Sequence, residues 1–142
     1  MGEDLSFPMS KRSITMTIQM YKILDFPSIF EKVKHQKLPF KTSYQLTLLA
    51  QEMEKHINYY QEQFRSILEE YGEKDEEGNY KTSEDGTGIL LNKEKQDEAY
   101  SKIMELRMLD VELPKVNLNV DDFGNVELSP EEMIIFMPFI GE

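Results

Sequence analysis

A chain of 142 residues without cysteine is long enough to bury a core, and it holds no disulfide, thiolate metal site or thiol nucleophile. Its 27 acidic and 16 basic side chains give a net charge of −11, which argues against nucleic acid and anionic membrane and favours a basic protein surface. No apolar run approaches the roughly 20 residues of a membrane span.

Residues 1–13, MGEDLSFPMSKRS, lack a secretory apolar segment and read as a flexible extension. Gly2 and Ser6 fit the short M-G-x-x-x-S acylation pattern, but Glu3 and Asp4 oppose an anionic surface. Ile14, Met16, Ile18 and Met20 alternate with polar residues and predict a half-buried strand. Asp25-Phe26-Pro27-Ser28 opens a short helix with Phe26, Ile29, Phe30 and Val33 on its buried face, and Pro39 stops it.

Thr42 and Gln45 form a capping-box pair at the entrance of a long helix. Leu46, Ala50, Met53, Ile57, Tyr60, Phe64, Ile67 and Tyr71 then recur at 4-3 spacing, a coiled-coil-like seam about 39 Å long. Gly72 ends the helix. Residues 72–92 hold four glycines and predict an irregular or β tip, with strands at Asn79–Thr82 and Ile89–Leu91 turning at Asp85-Gly86. A second helix from Asn92 to Asp110 repeats the spacing at Ala99, Ile103 and Leu106, with a Glu98–Lys102 pair. Tyr100, Met104 and Met108 give it a second apolar row.

Val116, Leu118 and Val120 predict a strand, and Val126–Leu128 its return partner after a turn at 121–125. Ser129, Pro130 and Glu132 form a capping box opening a last, largely apolar helix, checked by Pro138. The expected fold is α+β: residues 14–142 form one domain with a long antiparallel helical hairpin at 42–110, a small antiparallel sheet and short flanking helices.

Chemistry is sparse. His56, with Glu52 one turn earlier, is half a metal site with nothing to complete it, and His35 suits a helix C-terminus. The acidic runs at 75–78 and 121–124 fail the spacing of a calcium loop, and 84–88 lacks a P-loop lysine. No serine-nucleophile motif occurs. No catalytic, cofactor or metal site is predicted, and the chain reads as a non-enzyme.

The residues left for contact with a partner are Tyr59, Tyr100, Met104 and Met108, and the acidic Glu73, Asp75, Glu76, Glu77, Glu84 and Asp85.

LPFKTSYQLTLLAQ at 38–51, EEYGEKDEEGNYK at 69–81 and VELSPEEMIIFMPFI at 126–140 together resemble a family of small uncharacterised proteins of tailed phages infecting Gram-positive bacteria. The resemblance spans roughly residues 18–140 and carries over no catalytic residue. It implies a viral origin, in the cytoplasm of an infected host or in the virion. On this reading the chain is a phage accessory or virion-associated protein that binds a phage structural or host protein, or itself. The alternative is an acidic inhibitor of a host defence or nucleic-acid enzyme, carried by the charged segment from Glu73 to Asp85.

Overall fold

The computed structural model describes residues 15–86 and 88–141. The extension at 1–13, its acylation pattern and Ile14 lie outside the described residues. Among those described, the chain is mixed helix and strand: five α-helices, one of 32 residues, and a two-stranded antiparallel sheet. It packs as two compact units, one with the residues up to Ile57 and from Asp110 onward, the other Asn58–Leu109.

In the first unit, β1 (Thr15–Gln19) pairs antiparallel with β2 (Asp110–Pro114), setting Ile18 opposite Val111 and Met16 opposite Leu113. Met20, expected in the strand, instead begins α1 (Met20–Leu24). The period changes there from two to three, because Met20 and Ile23 are both buried on one side of a helical turn. The helix α2 (Phe26–Val33) has Pro27 in its first turn and buries Phe26, Ile29 and Val33 as expected, while Phe30 is only half-buried.

The long helix α3 (Phe40–Tyr71) starts two residues before the predicted entrance. That shift changes the role of the supposed capping box. Thr42 now lies inside the helix, on the same face as Leu46, Leu49 and Met53, and is buried with them. A buried hydroxyl needs a partner, and Thr42 donates to the carboxylate of Asp122. Gln45 likewise turns outward from its helix: its side-chain carbonyl accepts from the Asn117 amide at 3.0 Å.

Residues 116–128 also depart from expectation. Val116 and Leu118 are buried and Asn117 and Asn119 exposed, yet they make no hairpin with 126–128. Leu118 pairs with the C-terminal segment instead, its amide donating to Phe139 and its carbonyl accepting from Gly141, both at 2.8 Å. A 3-10 turn at Val120–Phe123, capped by Asn119, swings Phe123 inward. Phe123 meets Phe136 edge-on at 5.3 Å, and Phe26 packs against Phe136 and Phe139 at 6.4 and 5.7 Å. Phe136 belongs to α5 (Pro130–Phe136), whose Ser129–Glu132 capping box forms in full.

In the second unit, α3 continues to Tyr71 and α4 covers Gln96–Arg107. The predicted 92–110 helix is shorter at both ends, because Asn92–Lys95 make a turn and Asp110 is spent in β2. Between the helices the predicted β-hairpin is absent as a ladder. Three short segments instead bond in a closed triangle: Glu73 donates to Leu90, Leu90 to Lys81, and Lys81 to Glu73, each at 2.8 Å. Each segment bridges both others through single residue pairs, so no consecutive pairs build a strand. Gly78 and Gly86 supply positive φ at the two bends, and the Tyr80 hydroxyl donates to the Glu69 carbonyl at 2.9 Å.

Candidate protein-docking surface

The second unit has a thin core. Only Tyr71, Ala99 and Leu106 are buried there among the described residues. Tyr60, Phe64, Ile67 and Ile103, which the seam assigned to a dry interface, are half-buried. The off-seam residues Asn58, Gln61 and Glu62 face solvent.

Its exposed apolar residues are larger and more numerous. Tyr100 and Met104 stand one turn apart on one face of α4, Met108 at its C-cap continues the row, and Met104 is 56% exposed. Tyr59, Leu90 and Leu109 are exposed as well. The Tyr100 hydroxyl accepts from the Gln96 side-chain amide at 2.9 Å, which fixes the head of the row. Beside it, Tyr100 and Ile103 form one wall of a cleft of about 400 Å³ whose other walls include Phe64, Leu68, Ile89 and Leu91. A second open cleft of about 330 Å³ lies between Gln63, Ser66, Ile67 and Glu70 of α3 and Lys102, Glu105, Leu106 and Leu109.

Lys102 ties the two helices at that cleft. Its ammonium lies 5.2 Å from the Tyr71 ring centroid and 3.8 Å from Glu70. The Tyr71 side chain first, and Glu70 after it, raise the Lys102 pKa above its ordinary value. The predicted partner Glu98 adds the weakest of these pulls.

The predicted acidic contacts divide into two sets. Glu73 is in an ion pair with Lys81 at 3.1 Å. Asp75 accepts from the amides of Glu77 and Asn79 at 2.9 and 3.0 Å, closing a turn. Asp85 accepts from the Ser83 hydroxyl at 2.6 Å. These three shape the tip. Glu76, Glu77 and Glu84 face outward.

His56 is half-buried, and Glu52 is spent on Lys55 at 2.6 Å. Among the described residues no three metal-ligating side chains come together, and no helix is long and apolar enough to cross a membrane.

One exposed surface escaped the sequence reading. Phe40, Tyr44 and Leu48 form a row on the first turns of α3, in the first unit. The Phe40 and Tyr44 rings stack nearly parallel, 6.3 Å apart. Their i, i+4, i+8 spacing is a legible signal, but it is shorter than the 4-3 seam beginning at Leu46 on the opposite face.

No family model, curated protein or solved structure matches the chain.

Proposed function

We propose that this chain is a non-catalytic accessory or virion-associated protein of a tailed phage, acting by docking on another protein through the exposed face of α4. One observation carries the reading: the second unit exposes more large apolar side chains than it buries. Contiguous exposed apolar surface of this kind is uncommon on a monomer and marks interaction sites. Two methionines in the row give it an adaptable shape, and Tyr100 adds a rigid anchor with a polar tip. The α4 helix, tied to the end of α3 through Lys102, Glu70 and Tyr71, serves as the platform. The cytoplasm of the infected host and the virion are the places where such a partner would be met.

The acidic-inhibitor alternative draws less support, since Glu73, Asp75 and Asp85 are committed to local donors. Affinity capture from infected cells tests the docking reading. Met104→Lys with Met108→Lys should lose the captured partner by at least tenfold while the thermal midpoint stays unchanged. Equal recovery by the wild type and this variant would refute it.

A further inference from the structure

The charge of this chain is unevenly placed. Residues 1–51 carry four acidic and seven basic side chains, a net of +3, whereas residues 52–142 carry 23 acidic and nine basic ones, a net of −14. From Lys32 to Gln51 there is no Asp or Glu at all. The exposed row Phe40, Tyr44 and Leu48 stands within this stretch, with Phe40 85% exposed. Lys32 and Lys34 are paired with Glu132 and Glu31, but Lys37 and Lys41, both exposed, make no ion pair among the described residues.

We propose that copies of this chain associate head to tail, the lysine-flanked aromatic row of one copy receiving the acidic tip of the next. The tip supplies the complement. Glu76, Glu77 and Glu84 point outward from a loop whose hydrogen-bond triangle holds it in shape, so little ordering cost falls on the contact. Two copies each carrying −11 repel at long range, yet at about 0.15 M salt the Debye length is roughly 8 Å. Adjacent opposite charges therefore outweigh the net charge, and burying Phe40 and Tyr44 adds an apolar term that salt does not screen. A contact between two different surfaces is heterologous, so it generates closed rings or open filaments. This association does not use the α4 row, and it stands or falls separately from the docking reading.

Sedimentation velocity of the full chain tests it. The weight-average mass should rise above 16.7 kDa with protein concentration at about 0.15 M salt and fall back as salt is raised toward about 1 M. Lys37→Glu with Lys41→Glu should abolish the rise, as should Glu76→Lys with Glu77→Lys, and the fourfold variant should regain it. Phe40→Ala should weaken association at every salt concentration. A wild type that stays monomeric at millimolar concentration and about 0.15 M salt overturns the proposal, whatever else binds the row. So does assembly indifferent to either charge reversal, or a fourfold variant that stays monomeric although each pair alone abolished assembly.

Discussion

Thr42 shows how one residue changes meaning with its position in a helix. Placed at a cap, its hydroxyl would have served the helix's own amides; placed inside, on the buried face, it serves Asp122 across the first unit. Thr42→Val keeps the shape and leaves the half-buried Asp122 carboxylate without this donor. It should cost about 1–3 kcal/mol in urea unfolding. A double-mutant cycle with Asp122→Ala should show coupling, and strict additivity would contradict the assignment. Glu132 gives a second residue-scale prediction. The Lys32 ammonium at 2.8 Å, followed by the Ser129 amide, lowers its carboxyl pKa below the ordinary value. A carboxyl depressed in the folded state contributes in full above the unfolded pKa, and loses that contribution as pH falls through the folded one. The gap in urea midpoint between wild type and Glu132→Gln should thus be present at neutral pH and close in acid. A gap that widens in acid would rule this out.

At the scale of elements, legibility followed how local the determinants were. The helix at 26–33, the long helix and the Ser129–Glu132 capping box depend on residues three or four apart, and sequence spacing predicted all of them. The sheet did not emerge in the same way. Val111 and Leu113 alternate with Asp110 and Glu112 as a strand should, but the segment is only five residues long and adjoins a helical pattern. Its partner lies over ninety residues earlier, at Thr15–Gln19. The alternation was real in burial only over 116–119, since Val120 is exposed, and it was misleading in pairing, because Leu118 finds the C-terminal segment. The tip shows the same limit: period-two patterning cannot distinguish a hairpin ladder from three segments bonded in a triangle. Gly72 matters there for closeness rather than for handedness. A Cβ on it would sit 2.5 Å from the Leu68 carbonyl oxygen and 2.8 Å from the Tyr80 ring. Gly72→Ala should therefore speed amide hydrogen exchange at Glu73, Lys81 and Leu90 while sparing the β1–β2 amides. Unchanged exchange at those three positions would show that the triangle does not depend on this contact.

For the whole molecule, the two units use their apolar residues differently. The first encloses a phenylalanine cluster with Met20, Ile23, Leu49 and Leu113 fully buried around it. The second commits three residues to its interior and displays Tyr100, Met104 and Met108 in a row. That row was legible as an unused helical face; the Phe40–Tyr44–Leu48 row lies opposite the longer 4-3 seam that begins at Leu46, which is the stronger pattern. What the row meets is the core of the functional account, and site-specific photo-cross-linking addresses it most directly. A photoreactive residue at Met104, introduced into the protein in infected cells, should yield one discrete adduct with another protein. The same residue at exposed Glu94, just before α4, should yield none. Adducts of equal intensity at both positions, or none at Met104 in well-folded protein, would contradict the claim that this face is where the protein acts.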